Sequence, residues 1–202
     1  MKTGLTEIII LHDNNAPYPS FEDSVNKSSG AFLKALKEAE AQIPDGEIRI
    51  TYAVSGKGGE GYNLIANDIP VAAVRLGAKN FIAAGGMRDI LDAMGNTIID
   101  KGKAYSASDE NEHPENVIFI LTAFGRDNAS KSYTFNQVAD MVAHQSYVYK
   151  WKFFCLTTEH GLPEQLGIPE DNCIWIDEEN EDFYTRAMEK LTGRIVYNVL
   201  HK

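Results

Sequence analysis

Asn116 to Tyr133 reads NVIFILTAFGRDNASKSY. Its first half is an apolar, β-branched run without polar alternation, the pattern of a strand covered on both faces, and a Gly-containing polar loop follows it. Ligands of α/β proteins bind outside the carboxyl ends of parallel strands, so the side chains from Phe124 onward occupy the place where such folds carry their chemistry. Here that place holds a phenyl ring.

Working outward, Glu7 to His12 (EIIILH) reads as a second buried strand, followed by a Pro-, Asn- and Ser-rich loop from Asp13 to Ser20. Val25, Ser29, Phe32, Leu36, Ala39 and Ile43 fall on one stripe at helical spacing, stopped by Pro44-Asp45-Gly46. Glu47 to Val54 (EIRITYAV) alternates like a strand with one wetter face, and Gly56 to Gly61 (GKGGEG) is a hairpin-like turn. Tyr62 to Val74 fits a short edge strand. Ile90, Leu91, Met94 and Ile98 predict a second helix, and Ser106 to Pro114 a surface loop leading back into the Val117 to Leu121 strand. Thr134 with Gln137 forms a capping box for a third helix whose Phe135, Val138, Ala139 and Val142 face inward. Trp151 to Leu156 and Cys173 to Ile176 are the last strands, joined by a segment with its own short helix or turn. Phe183, Ala187, Leu191, Ile195 and Val199 line the closing helix. Alternation of this kind predicts a single α/β domain over residues 1–202, a Rossmann-like doubly wound, mostly parallel sheet with helices on both faces.

The 202 residues, 44% hydrophobic and 10% aromatic, suffice for one sizeable core. A formal net charge of -10 argues against nucleic acid and anionic membrane surfaces, which reward clustered Lys and Arg. Cys155 and Cys173 lie in apolar runs without metal-ligand spacing and read as small buried hydrophobes of a reduced compartment. The apolar run Ile8 to Leu11 is too short for a signal segment or a membrane span, so the expected location is the cytoplasm.

Three blocks of sequence, in order, carry a resemblance to von Willebrand factor A-like (VWA) domains. TEIIILHDNNAPYPSFEDSVNKSSGAFL, from Thr6 to Leu33, is similar to the opening strand, metal loop and first helix of that family, particularly a bacterial branch that opens TEIVFILDRSGSM. Asp13 falls on the first Asp of the family's D-x-S-x-S loop, while Asn15 and Pro17 replace its two serines. GGMRDILDAMG, from Gly85 to Gly95, resembles G-M-T-A-L-L-D-A-I-G and puts Arg88 on a metal-binding threonine. AFGRDNASKSYT, from Ala123 to Thr134, resembles T-D-G-x-E-N-A-S-x-x-Y-T and puts Phe124 on the second aspartate. The tail GLPEQLGIPEDN, Gly161 to Asn172, also resembles that branch.

The resemblance implies a metal-ion-dependent adhesion site, in which a hard cation is held by oxygen ligands in near-octahedral array. Asp13 and Asn15 still offer oxygens. Pro17 and Phe124 offer none, and Arg88 adds a positive charge. Metal loss and no cofactor are therefore expected, with the Arg88 guanidinium pairing with Asp13 as a tethered cation. A guanidinium turned to solvent, or paired with Asp89 or Asp92, is the plainer alternative. Phe124 either plugs the space left by the ion or joins Tyr18 and Tyr133 in an apolar rim.

The implied function is a non-enzymatic protein-interaction or scaffolding module with a protein or peptide partner, its candidate face being Asp13, Asn15, Arg88, Phe124 and Arg126. One alternative is a Mg- or Mn-dependent adhesion-type module with substitute ligands. Another is anion or small-ligand binding by Arg88 and Arg126 near a helix start. No catalytic constellation emerges. GKGGEG lacks phosphate-loop spacing, Cys155 has no fixed spacing to His144 or His160, and His12 reads as a hydrogen-bonded structural group. The acidic run Asp177 to Asp182 reads as the start of the last helix rather than a cation loop.

Overall fold

Two apolar strands, β1 (Lys2–His12) and β4 (Pro114–Ala123), pair in parallel at the centre of a six-stranded sheet. The computed structural model describes residues 1–13, 22–56, 61–76, 87–176 and 183–201. With β2 (Glu47–Ser55), β3 (Tyr62–Pro70), β5 (Lys152–Thr157) and β6 (Cys173–Trp175), the order across the sheet is β3-β2-β1-β4-β5-β6. Every neighbouring pair is parallel except β2 with β3. The reversal of strand order between β1 and β4 opens a crevice at their carboxyl ends.

Alternation along β1 explains the layers. Ile8 and Ile10 point to one face, where α1 (Glu22–Glu40) and α5 (Phe183–Leu200) cover them; Ile9 and Leu11 point to the other, under α2 (Ile90–Ala107), α3 (Phe135–Val148) and the short α4 (Leu162–Gln165). The sheet is thus doubly wound, as the alternation of elements predicts. All five predicted stripe residues of α5 are buried. Each large one contributes about 1.5–3 kcal/mol as an upper estimate. The capping box at Thr134 is formed in both directions, and Val138 and Val142 are the buried residues of α3 while Phe135 and Ala139 are half-buried.

Three elements differ from the sequence reading. α1 stops at Glu40 rather than running to Ile43, and the chain turns through Asp45 at φ 55 into β2. α2 continues to Ala107, absorbing the start of the expected surface loop. β3 spans nine residues and pairs antiparallel to β2 as the sheet edge, the connection between them closed by Gly56 N–H donating to Gly61 O at 2.6 Å. The middle of the GKGGEG turn, the loop residues Asn15, Pro17 and Tyr18, the pair Gly85 and Gly86, and the acidic run Asp177 to Asp182 lie outside the described residues. Among the described residues, no helix is long and apolar enough to cross a membrane.

Candidate functional site

Asp13 directly follows β1, its N–H still paired with Thr122 O at 2.8 Å, so its side chain emerges at the carboxyl end of the two central strands. The side chain is fully buried. Its Oδ2 accepts the backbone N–H of Phe124 at 3.1 Å and the Arg88 Nε at 3.1 Å. Arg88 comes from across the crevice, two residues ahead of α2 rather than in its first turn. Asp13 is thus a partner of its guanidinium, and solvent takes only 19% of the side chain.

The loop after β4 holds Arg88 by its backbone. Its N–H donates to Asn128 Oδ1 at 2.6 Å, and its carbonyl accepts the N–H groups of Asn128 and Ala129 at 3.0 and 2.9 Å. Gly125 has φ +155, and a Cβ there would come within 3.0 Å of Arg88 Cζ, so glycine leaves the room in which the guanidinium lies.

Phe124 turns inward. It is 5% exposed, belongs to the α1/α5 core, meets His12 edge-on with ring centroids 5.5 Å apart and stacks near Tyr184 at 6.1 Å. It fills space rather than forming a rim. His12 is buried, and its Nδ1 is hydrogen-bonded to the Thr122 hydroxyl. Tyr133 lies flat on α2 instead of joining Phe124; a Cβ on Gly95 would meet its ring at 2.8 Å.

Arg126 is 83% exposed and pairs with Glu159 at 3.1 Å. Both arginines considered for an anion are thus engaged by carboxylates, one buried and one at the surface.

Sequence reasoning passed over a second set of residues that fixes this face. Asp92 is buried in the first turn of α2, and its carboxylate accepts the N–H groups of Lys131, Ser132 and Tyr133 at 2.8 to 2.9 Å. Asp127 reaches the other way, accepting Leu91 N–H at 3.0 Å and the Ser130 hydroxyl at 2.6 Å, while Ser130 Oγ accepts Asp92 N–H at 3.0 Å. Two orphan donors of the α2 amino terminus, Leu91 and Asp92 N–H, are thereby satisfied by the loop. The Asp-Asn-Ala-Ser run was the available signal, since Asp, Asn and Ser side chains favour bonds to nearby backbone.

Cys155 is buried in β5, in register with Cys173 on β6, and burial pushes its thiol well above the ordinary range. The two histidines considered with it are engaged by aromatic rings, His144 with Tyr149 at 5.7 Å and His160 with Trp175 at 4.6 Å.

No protein-family model matches the chain, and no curated protein matches it. Solved structures match it in shape. Proximal thread matrix protein 1 from the mussel byssus aligns with a TM-score of 0.57 at 12% identity, over 96% of this chain and 46% of the mussel chain. The manganese-loaded TRAP protein of Plasmodium vivax aligns with a TM-score of 0.53 at 10% identity, over 93% of this chain and 74% of that one. The chain thus spans less than half the length of the mussel protein. At such identities the likeness is one of fold, and the fold is VWA-like.

Proposed function

We propose that the loop face at the carboxyl end of the sheet is a metal-free protein-interaction surface, and that the chain is a non-enzymatic module of VWA type with a degenerate adhesion site. The observation that carries this reading is the Arg88 Nε lying 3.1 Å from Asp13 Oδ2. The residues present fit a divalent cation poorly. Two unit charges about 4 Å apart repel by about 4 kcal/mol at an effective dielectric near 20, and a dication doubles this. Phe124 supplies hydrocarbon to the core and its N–H to Asp13, so no side-chain oxygen comes from that position. In this reading Arg88 neutralises the buried carboxylate that a cation otherwise neutralises.

The partner is a protein or peptide. A chain of net charge -10 is a poor match for nucleic acid or an anionic membrane, and a loop pinned by Asp92 and Asp127 offers a rigid surface without an ordering cost. We place the protein in a reducing, bacterial-type cytoplasm, a reading supported by two buried free thiols.

Calorimetric titration with Mg2+ and Mn2+ tests the reading: no heat of binding is expected. Micromolar binding would overturn it in favour of a metal-dependent adhesion-type module built on Asp13 and substitute ligands. A thermal-shift screen of phosphates and carboxylates is expected to stay flat; a shift lost in Arg126→Ala would instead favour the anion reading. Partner capture from the native host is expected to weaken when Arg126, on the exposed rim, is changed to Glu.

A further inference from the structure

A second polar cluster lies on the α2 face of the sheet, toward the amino ends of the central strands and away from the loop face. The odd-numbered row of β1 runs Leu5, Glu7, Ile9, Leu11, so Glu7 interrupts an apolar row and is buried. Its carboxylate accepts from Thr51 on β2 and from Tyr105 and Lys101, four residues apart on α2. Lys101 also donates to Thr51 Oγ1 at 3.1 Å. Burial, and then the Glu7 charge, push the Tyr105 hydroxyl well above its ordinary range, so it stays a donor.

These groups floor an open cavity of about 370 Å³. Leu5, Ala104 and Pro114 form an apolar wall, and Arg49, Asn67 and Ser108 a polar rim. Asn67 precedes Asp68, which bends the edge strand at φ 52 and is clamped by Arg49 Nε at 2.7 Å from its Oδ1.

The charges select the ligand. Each cation around the cavity already faces a carboxylate: Lys101 with Glu7, Arg49 with Asp68 and Glu47, Lys2 with Glu47. An anionic ligand must displace one of these carboxylates and leave it uncompensated, while Glu112, an exposed rim carboxylate outside these pairs, offers a cation only a solvated contact of small worth. A hydroxyl both donates and accepts, so it bridges a paired donor and acceptor without separating them. Lys101 spends two of its three N–H groups on Glu7 and Thr51, and the Asn67 amide stands exposed at the rim. The volume lies in the range of small-ligand pockets.

We propose that this cavity binds an uncharged polyhydroxylated ligand of monosaccharide size, its hydroxyls on the Lys101, Arg49 and Asn67 side and its C–H face on Leu5, Ala104 and Pro114. A neighbouring cavity of about 240 Å³ shares Tyr105 and Pro114 and is walled by Trp151 and Tyr149. It receives the substituent of a glycoside, with preference for an aromatic one.

The test is a heteronuclear NMR titration of the whole chain with glucose, galactose and mannose, then with their methyl and aryl glycosides. At least one sugar is expected to give saturable shifts at Asn67, Ala104 and Tyr105, with Kd on the order of 1–10 mM for a ligand of this size. Ala104→Trp, at an exposed helix position that fills the cavity, is expected to weaken binding at least tenfold while leaving the spectrum of a folded protein. Aryl glycosides are expected to bind more tightly than methyl glycosides, and Tyr149→Ala to remove that gain alone. Equal binding of free sugar and glycoside makes the natural ligand a free sugar; tighter glycoside binding makes it a terminal residue of a conjugate. Absence of saturable shifts with every neutral sugar overturns the proposal. So does binding unaffected by Ala104→Trp, or binding confined to phosphate, acetate or an alkylammonium probe.

Discussion

The Arg88 Nε and the Phe124 backbone N–H converge on one atom, Asp13 Oδ2, each at 3.1 Å. A side chain from before α2 and a peptide group from after β4 thus close the crevice between the two central strands. The carboxylate they share is wholly buried.

Arg88→Met is expected to lower stability by about 2–4 kcal/mol, because it leaves the buried Asp13 charge without its guanidinium partner. Asp13→Asn in that background is expected to recover part of the loss. Urea unfolding of both single variants and the double variant measures the coupling. Additivity within about 0.5 kcal/mol would show that the two side chains do not support each other.

Gly125→Ala reaches the same pair from the backbone. Its Cβ would press on Arg88 Cζ at 3.0 Å in a conformation, φ +155, that suits glycine. A loss of about 1–3 kcal/mol is expected, and combining it with Arg88→Met should add less than the sum. Full additivity in thermal unfolding would separate the strain from the guanidinium.

Phe124→Ala is expected to cost about 3–5 kcal/mol, the range for emptying a buried aromatic site between neighbours such as His12 and Tyr184. Phe124→Asp places a carboxylate in the same apolar space and should cost more. Chemical denaturation orders the two; an Asp variant as stable as wild type would mean the side chain at 124 reaches solvent.

Asp92→Asn keeps the shape but removes the charge and replaces one of the two acceptor oxygens by an NH2 donor, so at least one of the three N–H groups loses its acceptor. A loss of about 2–3 kcal/mol is expected. Hydrogen exchange should accelerate first at Lys131, Ser132 and Tyr133, and unchanged protection there would count against the latch.

Stability is expected to fall in alkali. Burial raises the folded-state pKa of Cys155, Tyr52, Tyr105 and Tyr184 above their ordinary values of 9.0 and 10.0. The unfolded chain releases these protons near pH 9–10 while the folded chain keeps them, so their contribution is complete below that range and is lost progressively as pH rises from it toward the raised folded-state values. Each titrating group adds a slope of about -1.4 kcal/mol per pH unit. Unfolding midpoints between pH 8 and 11 check the sign. Cys155→Ser should leave the tyrosine part of the slope intact.

Much of the fold was legible because it depends on contacts that repeat along the chain. Unbroken apolar runs marked β1 and β4, helical spacing marked α1, α2 and α5, and Thr134 with Gln137 marked the start of α3. Hydrophobic periodicity is local, so a linear reading recovers it. Where the signal was weak, the edge strand β3 came out as an edge and the hairpin-like turn before it agrees with its antiparallel pairing to β2, but its end at Pro70 did not come out, since an exposed strand has no apolar pattern to read.

The sequence by itself determined the alternation of strands and helices, and it determined that position 124 carries no side-chain oxygen and position 88 a permanent positive charge. Only tertiary structure decided what these residues do. Arg88 meets a carboxylate 75 positions away, Phe124 turns into the core, and Asp92 binds a loop some 40 positions on. Glu7 and Lys101, 94 positions apart, were each unremarkable in the chain and became a buried pair only when α2 crossed β1. The physical reason is that burial of a charge is settled by which distant partner folding brings within hydrogen-bond reach, and no local pattern encodes that distance.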